Sequence, residues 1–230
     1  MGTLFRDISR AIRAPLNKRD ALKKLVRFHA SSRSLEEIVD SGMNLSTHGL
    51  YRVDSVQKRS EILSLVKRVA ALKPKNILEI GTCNGGTLFM WSNLASQKVV
   101  SCDLFKNHTR GELYAHFAPP QSGCVVKALV GDSHDPDFKQ KVFQEFDGEK
   151  LDFLFIDGDH SEGGVRADFN DYKELVRVGG IIAFHDVIKN QPVPGNQVFN
   201  FWEPIKKQYR YEEFIDDKNQ CGFGIGIVYV

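Results

Sequence analysis

Cysteine is scarce and scattered in this chain. Its four cysteines, Cys83, Cys102, Cys124 and Cys221, include no C-x-x-C pair, so the sequence encodes neither a thiolate metal site nor a disulfide-stapled framework. Two of them fall in or beside strand-like runs, as reduced core thiols do, and a cytoplasmic location is the expectation. Long apolar runs are missing as well. Nothing approaches the roughly 18 residues that a spanning helix needs, so no integral membrane segment is expected. No internal repeat and no low-complexity tract interrupts the chain. Beyond the N-terminus there is no basic patch interleaved with aromatics, which argues against nucleic acid as the primary ligand.

What is present is the composition of one globular domain. The chain has 230 residues, 42% of them hydrophobic and 26% charged, enough for one α/β domain with a large core and too few for two ordinary domains with linkers. The net charge of +2 is unevenly distributed. Residues 1–33 carry nine Lys and Arg against Asp7 and Asp20, a local charge of +7, which leaves −5 for the remainder. Leu4, Phe5, Ile8, Ile12 and Leu16 recur near helical spacing there, and the pattern reads as a basic amphipathic helix that Pro15 interrupts. The expected organisation is a basic helical extension over 1–50 and a single domain over 51–230. The extension is suited to packing on its own domain, to joining copies in a homo-oligomer, or to touching a membrane surface.

From Ser55 onward helical and strand periods alternate. Ile62, Leu65, Val66, Val69 and Ala70 mark one buried helix face, which Pro74 ends. Short apolar runs follow at Asn76 to Ile80, Lys98 to Cys102, Cys124 to Val130, Leu151 to Ile156 and Gly180 to Phe184, each separated by room for a crossover helix. A helix after Gly163 and Gly164, with Val165, Phe169, Tyr172, Leu175 and Val176 on one face, is expected to stop at Gly179-Gly180. Two further strands, Tyr211 to Ile215 and Phe223 to Tyr229, close the chain. This is the pattern of a parallel sheet covered on both faces.

The first of these strands runs into Glu79-Ile80-Gly81-Thr82-Cys83-Asn84-Gly85-Gly86, a glycine-rich turn opening a helix. In a doubly wound sheet a ligand lies beyond the carboxyl ends of the strands, where glycine lets the backbone come close to it. A dinucleotide fingerprint needs G-x-G-x-x-G, and here Cys83 stands at the second glycine, which disfavours a nicotinamide dehydrogenase.

Glu79, Gly81 and Gly85 resemble the E-x-G-x-x-x-G motif of class I S-adenosylmethionine-dependent methyltransferases. The likeness continues with Asp103 at the end of the second strand, where the family binds the ribose hydroxyls. Asp132 and Ser133 follow the third strand, where it holds the adenine. Taken singly, Asp132 also reads as a helix cap and Asp103 as a solvated loop residue. The resemblance spans roughly residues 50 to 230. It implies an α/β, Rossmann-like, doubly wound, mostly parallel seven-stranded sheet with the last strand antiparallel. It further implies S-adenosyl-L-methionine held by Glu79, Gly81, Thr82, Gly85, Asp103, Asp132, Ser133 and Asp157.

Phe155-Ile156-Asp157-Gly158-Asp159-His160 ends the fourth strand and Phe184-His185-Asp186 the fifth. If the two strands are neighbours, about 4.8 Å apart, Asp157 and Asp186 converge at the sheet edge, and a divalent cation or a shared proton would relieve their repulsion. The arrangement resembles the metal-dependent O-methyltransferases that act on sugars and other natural products. That resemblance implies Asp157 and Asp186 as ligands of Mg2+ or another divalent cation, and His160 as the general base for a small hydroxylated acceptor. His185 stands where the family has a carboxylate. Either its imidazole enters the coordination sphere, with a preference for softer ions, or Asp159 or water takes the vacant place. His134 is a second candidate base. A metal-free methyltransferase working on another acceptor atom, and a non-catalytic cofactor-binding module, are the competing readings. Residues 46–54 and 189–202 are the segments expected to shape the acceptor pocket.

Overall fold

The computed structural model describes residues 2–46, 51–104 and 108–230, with side chains outside 1–13 and 105–110. The side chains of Leu4, Phe5, Ile8 and Ile12, and residues 47–50 of the expected acceptor segment, lie outside the described part.

A mixed sheet forms the centre. Its strands β3 (Asn76–Ile80), β4 (Lys98–Asp103), β5 (Val125–Val130), β6 (Leu151–Ile156), β7 (Val176–His185), β8 (Arg210–Phe214) and β9 (Ile225–Tyr229) stand in the order β5-β4-β3-β6-β7-β9-β8. All pairings from β5 to β7 are parallel, and β9 runs antiparallel to both of its neighbours, β7 and β8. The sheet reverses direction of winding at β3, so β3, β4 and β6 open a crevice at their carboxyl ends. A small antiparallel pair, β1 (Leu45–Ser46) and β2 (Val53–Asp54), lies apart from it.

The period of two along the central strands builds two cores. Ile77, Val99, Phe153 and Phe155 face one way and pack with α1 (Gly2–His29), α2 (Leu35–Asn44), α3 (Arg59–Ala71) and α4 (Gly86–Ser92). Leu78, Val100, Leu154 and Ile156 face the other, with α6 (Pro136–Glu145), α7 (Glu162–Tyr172) and α8 (Val198–Ile205). A further helix, α5, spans His108–Tyr114. Among the described residues no helix is long and apolar enough to cross a membrane.

Two local expectations are corrected. Pro15 does not interrupt the N-terminal helix, which runs unbroken through it. The proline sits on the solvent side, and Ala21, Leu25 and Phe28 anchor the following turns in the core, which offsets the lost hydrogen bond. Gly179-Gly180 is not a helix stop. The helix ends at Tyr172, a single 3-10 turn covers Lys173–Leu175, and both glycines lie inside β7. There the register against β6 shifts between Leu151 and Phe153, and Gly179 adopts φ +77°. A Cβ on Gly180 would come within 2.9 Å of the Arg177 carbonyl oxygen. The pair is a bulge that lets β7 bend onto β6, a tertiary demand that helix-stop chemistry mimics in sequence.

Candidate active site

The glycine-rich turn is shaped by how near it comes to β6. Gly81 has φ +101°, and a Cβ there would lie 2.0 Å from the Asp157 carbonyl oxygen. Gly81 N–H donates to the Cys102 carbonyl and Asp157 N–H to the Ile80 carbonyl, both at 2.8 Å. The turn is thereby stitched to both neighbouring strands. Gly85, at φ +78°, starts α4. Cys83 is held at φ +44°, and its N–H donates to Asp103 Oδ2 at 2.7 Å, so the aspartate at the end of β4 is tied to the turn rather than free in solvent.

Two cavities meet at this point. One, of about 570 Å³, is lined by Gly81, Cys83, Asp103, Asp132, Ser133, His134 and Asp157, among others. Asp132 does not cap α6: Asp135 does, accepting from Phe138 N–H at 2.9 Å, while Asp132 Oδ1 accepts from His134 N–H. Ser133 is fixed from behind, its carbonyl accepting from the Tyr172 hydroxyl at 2.9 Å. The second cavity, about 720 Å³, continues past Thr82, Asp157 and His160 to His185, Asp186, Asn196 and Phe223.

At the junction stand two carboxylates and two imidazoles. β6 and β7 are neighbours with Ile156 opposite Phe184, which brings Asp157 and Asp186 together as expected. His160 bridges them, with Nε2 3.4 Å from Asp157 Oδ1 and Nδ1 3.0 Å from Asp186 Oδ2. His185, almost fully buried, places Nδ1 3.1 Å from Asp157 Oδ1. Hydrogen bonds that the ring donates to the two aspartates push His160 up to about 10. Burial would raise Asp157, but the charge of His185 and the hydrogen bonds from both histidines outweigh it and hold the carboxyl at about 2.

One ligand atom from each of Asp157, His160 and Asp186 lies within 4.8 Å of the others. Two carboxylates and an imidazole converging on a cavity wall form a donor set that fits a divalent cation. His185, expected from the sequence as a ligand, stands beside this trio, and His160, expected only as a base, is within it. Asp159 lines both cavities but is not one of the trio, and its Oδ1 accepts from Ser161 N–H at 2.8 Å. His134 is likewise remote from the cluster, with Nε2 3.2 Å from the buried Asp168 Oδ1.

Residues 78–187, from the strand before the glycine turn to the residue after Asp186, match the family described as a methyltransferase domain. The chain's fold is similar to that of an O-methyltransferase from Bacillus cereus solved with S-adenosylhomocysteine, at 21% identity over 87% of this chain and 93% of that one, with a TM-score of 0.56. It is also similar to TomG of Streptomyces achromogenes, an O-methyltransferase of tomaymycin synthesis solved with S-adenosylmethionine. There the identity is 16% over 93% and 97% of the two chains, with a TM-score of 0.54. A third is MycE of the mycinamycin pathway, solved with magnesium, S-adenosylhomocysteine and mycinamycin VI, at 15% identity and a TM-score of 0.58. It is matched over 87% of this chain but only 55% of MycE.

Glu79 lies under the turn, not in it. It is wholly buried and lines neither cavity, and its oxygens accept from Trp91 Nε1 at 2.9 Å and Ser101 Oγ at 2.5 Å. Ser101 in turn is 2.5 Å from Thr82 Oγ1, so Glu79 supports the turn through two hydroxyls. Burial pushes its carboxyl up to about 8 against these hydrogen bonds. A folded-state value above the unfolded one means the native state binds the extra proton. The associated stability is fully present below about pH 4.5 and is lost as pH rises through about 8. Glu79→Gln, neutral throughout, is expected to remove this slope and to match or exceed wild-type stability at pH 8 by about 1–3 kcal/mol. Urea unfolding at several pH values is the measurement, and parallel pH slopes for the two proteins would show Glu79 to be ionised throughout.

The sequence motifs pass over two groups that the fold brings to the cluster. Gln57 Nε2 donates to Asp157 Oδ2 at 3.0 Å across 100 residues of sequence, and Asn196 Nδ2 donates to Asp186 Oδ2 at 2.6 Å. No local pattern marks Gln57. Asn196 falls within the segment expected to shape the acceptor pocket, without a motif of its own.

Proposed function

We propose that the protein is an S-adenosylmethionine-dependent O-methyltransferase acting on a small hydroxylated molecule, with a divalent cation such as Mg2+ at the carboxylate pair. The observation that carries this reading is the junction itself. The smaller cavity has acidic and small polar groups from three successive strand ends, suited to ribose and adenine. It opens at Asp157 and Gly81 into a second cavity where the carboxylate and imidazole groups converge.

In this reading Asp103 accepts from the ribose hydroxyls, and Asp132 and Ser133 border the adenine. Gly81, Thr82 and Gly85 shape the passage for the methionine portion, with Glu79 beneath them and Asp157 beside it. Asp157, His160 and Asp186 would hold the cation, with His185 fixing Asp157. When bound, the cation would supply positive charge to the carboxylates and to an acceptor oxygen that is losing its proton. His160 lies within the second cavity and, in the neutral form it would adopt once a cation neutralises the two aspartates, would take that proton. The trio's metal-ligand chemistry supports the cation, and similar folds solved with S-adenosylhomocysteine, S-adenosylmethionine or magnesium point the same way. The four free cysteines fit a cytoplasmic enzyme.

Calorimetric titration with S-adenosylmethionine and S-adenosylhomocysteine tests the first part, and binding of neither at millimolar concentration would remove the reading. Asp103→Ala is expected to weaken binding of both by about 1–3 kcal/mol through loss of charge-assisted hydrogen bonds. Circular dichroism should show an intact fold. Unaltered affinity would move the ribose away from β4.

A further inference from the structure

Two carboxamides bond the carboxylate pair, one on each aspartate. Gln57 stands between β2 and α3, and Asn196 stands in the segment after β7. An ionised carboxylate only accepts, so the amide nitrogen of each must face its aspartate, and the orientation of both side chains follows. Each amide engages an Oδ2 atom. The two Oδ1 atoms are left turned toward His185 Nδ1, at 3.1 Å from Asp157 and 3.5 Å from Asp186.

Gln57 pays no obvious structural role for this arrangement: it is 8% exposed, and its Oε1 is buried without a hydrogen-bond partner. An apolar side chain of the same length would fill the space without that unmet acceptor, so packing alone does not account for an amide here. Asn196 is tied further into the site. Its Nδ2 lies 3.1 Å from His160 Nδ1, and the next residue, Gln197, donates its N–H to the His160 carbonyl at 2.7 Å. Both amides also line the larger cavity, Gln57 with Asp54 to Val56 and Asn196 with Gln191 to Gly195.

We propose that Gln57 and Asn196 are positioning residues that orient Asp157 and Asp186 for a divalent cation and couple that site to two segments that line the larger cavity. The inference rests on the cation reading given above. Partners that lie behind metal ligands set the orientation of those ligands, and losing one typically weakens metal binding by about 10–100-fold.

The test is Mn2+ binding to the full chain, read from the free-ion electron paramagnetic resonance signal. S-adenosylhomocysteine affinity and melting temperature are measured on the same samples. Gln57→Met and Asn196→Leu keep the approximate volume and remove the donor. Each is expected to weaken Mn2+ binding about 10–100-fold while S-adenosylhomocysteine affinity stays near wild type. A space-filling role would survive these substitutions unchanged. Wild-type Mn2+ affinity in both variants overturns the proposal and leaves the cation reading standing, and an effect at one position alone removes the other residue from the pair. A wild-type chain that takes up no Mn2+ at millimolar concentration, with S-adenosylhomocysteine present, overturns both.

Discussion

Gly81→Ala is expected to cost roughly 3 kcal/mol or more of folding stability and to abolish detectable cofactor binding. Two penalties act at once. The residue sits at φ +101°, where an L side chain is strained, and the added methyl would lie 2.0 Å from the Asp157 carbonyl oxygen. That oxygen is main chain, so no rotamer change relieves the clash: β6 or the glycine turn must move. Either movement breaks the 2.8 Å bonds that join Gly81 to Cys102 and Asp157 to Ile80, and shifts Asp157 from the junction of the cavities. Chemical denaturation and calorimetry with S-adenosylhomocysteine measure the two losses. A variant within about 1 kcal/mol of wild type would show that the turn has room the structure does not give it. Gly163→Ala is the natural comparison, because a Cβ at that position meets nothing within 4 Å.

His160→Ala is expected to lower turnover by about 100-fold or more at neutral pH, with cofactor affinity nearly unchanged. The ring contacts both aspartates and lines both cavities, whereas the groups assigned to ribose and adenine come from β4 and β5. Removing it also takes away the ring that bridges Asp157 and Asp186. Transfer of a labelled methyl group to a panel of hydroxylated small molecules gives the rate, and calorimetry gives the affinity. Chelation separates the two contributions: loss of turnover without loss of cofactor binding supports the cation, whereas an enzyme indifferent to the chelator that still requires His160 is a metal-free methyltransferase. A rate loss below tenfold in His160→Ala would strip that residue of the role of base.

The sequence by itself determined the elements and the places where chemistry is concentrated. The buried positions of α3, the alternating faces of β3 and β6, the glycine turn and the D-x-x-H and H-D runs are all local patterns. Period and spacing along the chain report them because a helix face or strand face is set by neighbours within a few residues. Pro15 and Gly179-Gly180 were misleading for the complementary reason. What a proline or a glycine pair does depends on the burial of distant residues and on the register of the adjoining strand, and neither is written nearby.

Tertiary structure alone decided how the site is assembled. That β6 and β7 are neighbours, so that Asp157 meets Asp186, follows from the order of strands in the sheet. Glu79 opens the glycine-turn motif yet lies buried beneath the turn, because the pleat of β3 sends its side chain toward Trp91 and Ser101. His160 is placed between two carboxylates rather than beside them, and Gln57 and Asn196 reach those carboxylates from segments remote in sequence. Each of these is a contact between polar side chains across the fold. Such contacts leave no periodic trace, because what selects them is the cost of leaving a buried charge or donor unpaired once the chain has folded.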